Sequence, residues 1–385
     1  MKRYDEYKDS GVEWIGEVPR HWEVVRTRYL CNLCTGNKDT INRVDDGKFP
    51  FYVRSPKVER INTYSFDGEA ILMAGDGVGA GKVFHYANGK FDYHQRVYNF
   101  HNFKKVIGKF FYYYITNNFR YIIEEGGAKN TVDSVRLYMI QNFLITVPPK
   151  EEQREIVFYL DKKCSEIDNV ISAQQKRIAL LQELKQSVIT HAVTKGLNPN
   201  VEMKDSGVEW IGKIPASWDV VHLKRILRER MQYGANEPAE SDDTTYPRYI
   251  RITDITANGE LRPETFKSLE PSKAKDYLLD KGDVLFARSG ATVGKTFLFN
   301  ADIKACYAGY LIKASCDKRR MLPEYLYYYT QSGAYECWKN SVFIQSTIQN
   351  IGADKYQMMY IPVPSKDEQK QIVEYTILKS ATYRV

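Results

Sequence analysis

From Arg154 to Val193 the chain has no proline or glycine, and apolar or small residues recur at Leu160, Cys164, Ile167, Ile171, Ile178, Leu181, Val188 and Ala192. Steps of four and three put them on one face of a helix, with polar Gln174 and Lys185 interrupting the seam and Leu184 beside the second gap. Forty helical residues span about 60 Å. Such a stripe cannot be buried by its own helix, so it predicts a partner helix; the plainer alternative is an interdomain strut. Gly196 and Pro199 form a natural stop. On either side the period changes. YVRS and YIRITDI alternate as strands do, and AILMAG and DVLFARSG are apolar runs closed by glycine, the pattern of buried strands entering turns. FFYYYITNNF and YLYYYTQSGAYECW predict helices with aromatic positions turned inward. FLITVPP and MYIPVP read as strands stopped by proline. The helices that follow open with Glu151 and Glu152, and with Asp367 and Glu368, which suit the positive end of a helix dipole. Each half reads as an α+β domain of about 150 residues.

These patterns occur twice, as an internal repeat. Lys8–Gly16 recurs unchanged as Lys204–Gly212. Phe49–Arg54 returns as Tyr246–Arg251, Asp67–Lys82 as Lys281–Lys295, Tyr112–Tyr114 as Tyr327–Tyr329, and Val147–Val157 as Val363–Val373. Order is kept while spacing changes: from Arg251 to Gly282 the second copy is 17 residues longer than the first from Arg54 to Gly68. Constant blocks read as scaffold, and the divergent stretches as the places where two copies acquire different specificities. The expected organisation is a first domain over 1–147, a spacer helix over 148–200, a second domain over 201–363 and the start of a second spacer helix over 364–385.

Composition narrows the class. The chain has 385 residues, 43% of them apolar, and no apolar run of about 18 residues, so no membrane helix is expected. The opening MKRYDEYKDSG has no apolar core of a signal peptide, so the cytoplasm is the expected compartment. Six scattered cysteines argue against a disulfide framework, and the Cys31/Cys34 pair lacks a second pair to complete a zinc site. A net charge of +7, with 55 Lys and Arg beside 29 Tyr, fits a nucleic-acid partner, although tyrosines also fill strands and cores. Gly77–Lys82 and Gly290–Thr296 imitate a phosphate loop, but each encloses three residues where a Walker A needs four. They read as scaffold turns whose amides and lysine leave a phosphate contact open. No Asn/Asp-Pro-Pro-aromatic, GxSxG or HExxH motif occurs, and the six histidines have no ligand spacing. A non-enzyme is expected.

The opening SGVEWIGEVPRHWEVV, the turn GDVLFARSGATVGK, the block VPPKEEQREIV and the helix SEIDNVI…LLQELKQSVITHAVTKG together resemble the specificity subunit of type I restriction–modification systems, over nearly the whole chain. The resemblance implies two target recognition domains, each reading one part of a split double-stranded DNA sequence, with coiled-coil helices setting the unread gap. It implies no catalytic centre and no cofactor in this chain. The implied partners are methyltransferase (modification) subunits using S-adenosylmethionine and restriction subunits using ATP and magnesium. A duplicated protein-interaction scaffold without DNA binding is the alternative, and an NTP-dependent enzyme built on the glycine turns is a third. The counterpart of Val170–Gly196 is missing from the second copy, so a helix from another chain, and hence a homo-oligomer or partner-dependent stability, is expected.

Base reading needs Arg or Lys for guanine and Asn or Gln for adenine. In the first half Arg54, Lys57, Arg60, Lys82, His94, Gln95, Arg96, Lys129 and Asn130 are candidates; in the second, Arg248, Arg251, Arg288, Ser289, Lys295, Gln345 and Ser346. The recurring pairs Arg54/Arg251 and Lys82/Lys295 suit phosphate contact or structure. Arg96, Arg248 and Arg288 have no like partner and suit base choice. A solvated cation is the plain alternative for each.

Overall fold

The nine unchanged residues build the same hairpin twice. Tyr7–Asp9 pairs antiparallel with Glu17–Pro19, and Met203–Asp205 with Lys213–Pro215. In both loops the aspartate accepts from the glycine amide two residues on (Gly11 to Asp9 and Gly207 to Asp205, each 2.9 Å). In both the serine hydroxyl donates to the valine carbonyl (Ser10 to Val12 at 3.2 Å, Ser206 to Val208 at 3.1 Å). The aspartate and serine of each loop are turn formers with a backbone partner, which accounts for their recurrence in both copies. The computed structural model describes residues 4–125, 134–256, 259–344 and 350–382. The chain divides into two units, Met1–Ile171 and Ser172–Val385.

In the first unit the strands are β1 (Glu23–Arg26), β2 (Asn32–Thr35), β3 (Phe49–Tyr52), β4 (Glu59–Ile61), β5 (Phe66–Ala74), β6 (Phe84–Tyr93), β7 (Val97–His101) and β8 (Leu144–Val147). Six form one sheet in the order β2-β7-β5-β6-β3-β4, and β1 pairs with β8. The apolar run Ala70–Ala74 lies on β5, between β6 and β7, and all five residues are buried. All pairs in the six-stranded sheet are antiparallel except β3 with β6, which place Phe51 opposite Asp92. Helix α1 (Gly108–Asn118) packs Phe111 and Ile115 into the same core as Ile71 and Phe100.

The second unit repeats the plan with shorter strands: β9 (Asp219–His222), β10 (Gln232–Tyr233), β11 (Arg248–Ile250), β12 (Val284–Ala287), β13 (Thr296–Leu298), β14 (Ala305–Tyr307), β15 (Leu311–Ala314) and β16 (Tyr360–Val363). The order β10-β15-β12-β13 gives one sheet, β9 pairs with β16, and β11 runs parallel to β14. The parallel pair corresponds to β3 with β6. Two local expectations fail here. The strand in YIRITDI stops at Ile250, because Asp254 accepts from the Arg251 amide at 2.8 Å and folds Ile252–Asp254 into a 3-10 turn. The single helix expected over YLYYYTQSGAYECW is two, Pro323–Tyr329 and Gly333–Ile344, because the Ser332 hydroxyl accepts from the Tyr335 amide and starts a new helix.

Helix α2 runs unbroken over Lys150–Lys195 and ends at Gly196, whose φ is +75°. Its first turns pack Ile156 and Val157 on the first unit's core, and its last put Ile189, Ala192 and Val193 into the second's. Between them the expected seam is open to solvent at Cys164, Ile167, Ile171 and Ile178.

The repeated KEEQ/KDEQ turn is a lock. Gln153 donates to the carbonyls of Lys105 and Pro148 and accepts from the Ile107 amide. Gln369 donates to Arg320 and Pro364 and accepts from Leu322. Beside them Trp22 donates to Glu152, and Trp218 to Glu368, each at 2.9 Å.

Candidate nucleic-acid interface

At the end of β5 and of β12 the two units carry the same backbone hydrogen bonds. Gly75 donates to the Arg96 carbonyl at 2.9 Å, and Arg288 to Tyr310 at 3.0 Å. Val135 donates to Gly75 and Ile351 to Arg288, both at 2.8 Å. Gln95 donates to Lys38, and Gly309 to Ala235, at 2.8 and 2.7 Å. The chain passes so close here that a side chain at Gly36 would sit 2.0 Å from the Tyr93 carbonyl, and one at Gly234 2.3 Å from that of Tyr307. This register makes Asp76 the counterpart of Ser289, Gly75 of Arg288, and Arg96 of Tyr310. One corner, held by one set of bonds, is furnished with different side chains.

In the first unit the corner is a charge cluster. Asp76 Oδ1 accepts from Arg54 Nη1 at 2.9 Å, and Oδ2 accepts from Arg96 Nη1. Burial alone would raise the Asp76 carboxyl, but the Arg96 and Arg54 guanidiniums outweigh it and hold the group below its usual range. Gln95 donates to Asp39 at 2.8 Å. His94 is buried, its Nδ1 accepts from the Arg96 amide and its Nε2 lies 3.8 Å from Asp39, so it braces the turn.

In the second unit the corner is open and aromatic. Arg288 lies over the Tyr233 ring, 4.8 Å from its centroid, and its Nε is buried without a partner. Among the described residues no carboxylate pairs with it. Tyr233 is fixed in turn by the Ala353 amide, which donates to its hydroxyl at 3.0 Å. Arg288, Ser289, Asn236, Tyr310 and Asn350 line a recess of about 520 Å³. A neighbouring recess of about 280 Å³ shares Asn236 and Tyr310 and adds Arg251.

The other candidates scatter. Arg60 is spent on the carbonyls of Gly47 and Lys48, and the exposed Lys57 lies 3.8 Å from Glu59. Arg251 is turned inward: it grips both oxygens of Asp254, at 3.0 and 2.7 Å, and the Thr265 carbonyl. Arg248 donates to the Arg262 carbonyl and lies over the Phe266 ring. Lys82 and Lys295 are exposed on matching turns, where Gly81 and Gly294 have φ of +62° and +81° and donate to Ala74 and Ala287. Lys129, Asn130, Gln345 and Ser346 lie outside the described residues. The sequence reading missed Asp76, Tyr233, Asn236, Tyr310 and Asn350. Asp76 had a signal, since it breaks the match between the third blocks; the others fall in stretches with no counterpart. Among the described residues no group of His, Cys, Asp and Glu is arranged to hold a metal, and no helix is long and apolar enough to cross a membrane.

Residues 19–180 and 215–380 each match the family model described as the type I restriction modification DNA specificity domain. The type I restriction enzyme EcoDI specificity subunit of Escherichia coli is 22% identical over 375 residues, covering 93% of this chain and 81% of that protein. The MjaVIII specificity subunit of Methanocaldococcus jannaschii is 23% identical over 378 residues, covering 93% and 85%. A chain from a structure solved for complex assembly and conformational transition of the type I R-M system superposes with a TM-score of 0.68 at 16% identity, covering 95% and 92%. That last likeness concerns the fold alone.

Proposed function

This chain belongs to the type I restriction modification DNA specificity family, and from that premise we propose that its halves each read one part of a split duplex sequence. As a specificity subunit it recognises DNA sequence and is not itself the catalyst. The observation that carries the two-part reading is the shared corner: one backbone frame, built twice, presents Arg54, Gln95 and Arg96 in one half and Arg288 and Ser289 in the other. Unlike donors on like frames are what reading two different sequences requires. Residues 1–147 and 201–363 are then the recognition domains, with 148–200 and 364–385 as spacer segments. Lys57, Lys82 and Lys295 are assigned to phosphate contact. Arg248 and Arg251, tied to the segment that lengthens the second half, position that segment beside the DNA. S-adenosylmethionine, ATP and magnesium belong to the modification and restriction partners. The exposed stripe of α2 takes a partner helix, from a second copy of this chain.

The test is to express the chain with its modification subunit and map methylated adenines across a genome. A split motif with one fixed gap is expected. Arg288→Ala should then degrade the motif in one half, while Lys82→Ala weakens modification at every site. A continuous motif, or no motif, would sink the two-part reading.

A further inference from the structure

The corner in the first unit contains a group that base-reading chemistry does not single out. We propose that Asp76 is a positioning residue that clasps Arg54 and Arg96 into a single two-pronged donor, and that this clasp sets the specificity of the first half alone. The inference rests on the reading of the halves as DNA-recognition domains and names the device by which one of them discriminates.

Three features carry it. The first is division of labour. Each oxygen of Asp76 takes one arginine, and each guanidinium spends one nitrogen, leaving its remaining N–H groups for a ligand. The Asp76 side chain is 9% exposed, whereas those of Arg54 and Arg96 are 41% and 62% exposed, so the anchor is inside and the prongs are outside. The second is chain geometry. Arg54 follows β3, Arg96 stands in the turn between β6 and β7, and Asp76 follows β5. Two long side chains from separate loops are thus fixed in one place before any ligand arrives, which removes rotamer freedom that binding would otherwise have to remove. A guanidinium so held suits the paired acceptors of guanine.

The third is an internal control supplied by the duplication. The second unit has Ser289 where the first has Asp76, and Tyr310 where it has Arg96, yet the three paired backbone bonds that frame the corner are kept. The frame therefore stands without the clasp. There Arg251, the sequence counterpart of Arg54, is bound to Asp254 instead, and the cation at the corner is Arg288 propped on an aromatic ring. The second unit keeps its corner without this ion pair, so the pair is not what holds the frame together, and its two cations stay 41% and 62% exposed.

The experiment uses the chain in complex with its modification subunit and duplex oligonucleotides carrying the mapped motif, altered in one half at a time. Asp76→Asn removes the negative charge and one of the two acceptor oxygens, so the two arginines can no longer both be held. Discrimination in the first half-site should fall on the order of tenfold, while affinity for unrelated duplex holds or rises and its salt dependence steepens. The second half-site should be unaffected. A purely structural role would lower all affinities together, and that result would overturn the proposal, as would unchanged discrimination in the first half. Arg96→Gln, at an exposed position, removes one prong and should give the same half-specific loss; if it does not, the proposal also fails. If the unaltered complex shows no sequence dependence in either half, the DNA-reading assignment itself falls, and the clasp with it.

Discussion

Gln153 and Gln369 show what an identical residue in both copies does. Each is buried, and each satisfies three backbone groups that no other side chain among the described residues reaches. Replacing either by alanine should destabilise its unit by about 2–4 kcal/mol, because buried amide and carbonyl groups lose their partners. Urea unfolding checks this, and a loss near zero would mean that water replaces the side chain. Glu152 adds a pH dependence. Its burial alone would raise the carboxyl, but donation from Trp22, His21 and Tyr4 holds it below the usual range. A folded pKa below the unfolded one stabilises at neutral pH and loses that contribution as pH falls through the folded value. Glu152→Gln should therefore cost stability at pH 7, and the difference from the parent should shrink as pH falls from about 5 towards about 3. A gap that stays constant across that range would refute the assignment. The repeated residues were legible as architecture for this reason: their partners are backbone groups, which both copies possess whatever their loops contain.

Elements whose cause is local were legible in the chain. The apolar runs became β5 and β12, and the heptad stretch without proline or glycine became α2. Elements decided by one side chain were not. Asp254 ends a strand early and Ser332 splits a helix, and neither event leaves a trace in the period. Helix α2 poses the opposite case, a pattern whose partner is not in this chain's described residues. Ile167 and Ile171 are 57% and 49% exposed. Substituting both by glutamate should leave the unfolding midpoint of the chain almost unchanged, since neither residue is buried, while abolishing self-association through this face. Sedimentation velocity over a range of concentrations reads the outcome. If parent and variant are both monomeric at every concentration, the proposed pairing with a second copy is wrong.

At the scale of the whole molecule the duplication separates frame from content. Both units build the corner with the same strand order and the same hydrogen bonds, and then fill it with a two-arginine clasp in one and a tyrosine-propped arginine beside an open recess in the other. The sequence by itself determined the repeat, the mixed architecture of each half, the long helix and its exposed stripe, and the family resemblance. These follow from periodicity and short blocks, which act over neighbouring residues. Only the tertiary structure decided which of the many cations meet. Arg54 and Arg96 reach Asp76 across 22 and 20 residues of chain, and Arg288 finds Tyr233 across 55. Such meetings are fixed by strand pairing and by where the loops between strands turn back. They obey no spacing rule that could be read along the chain.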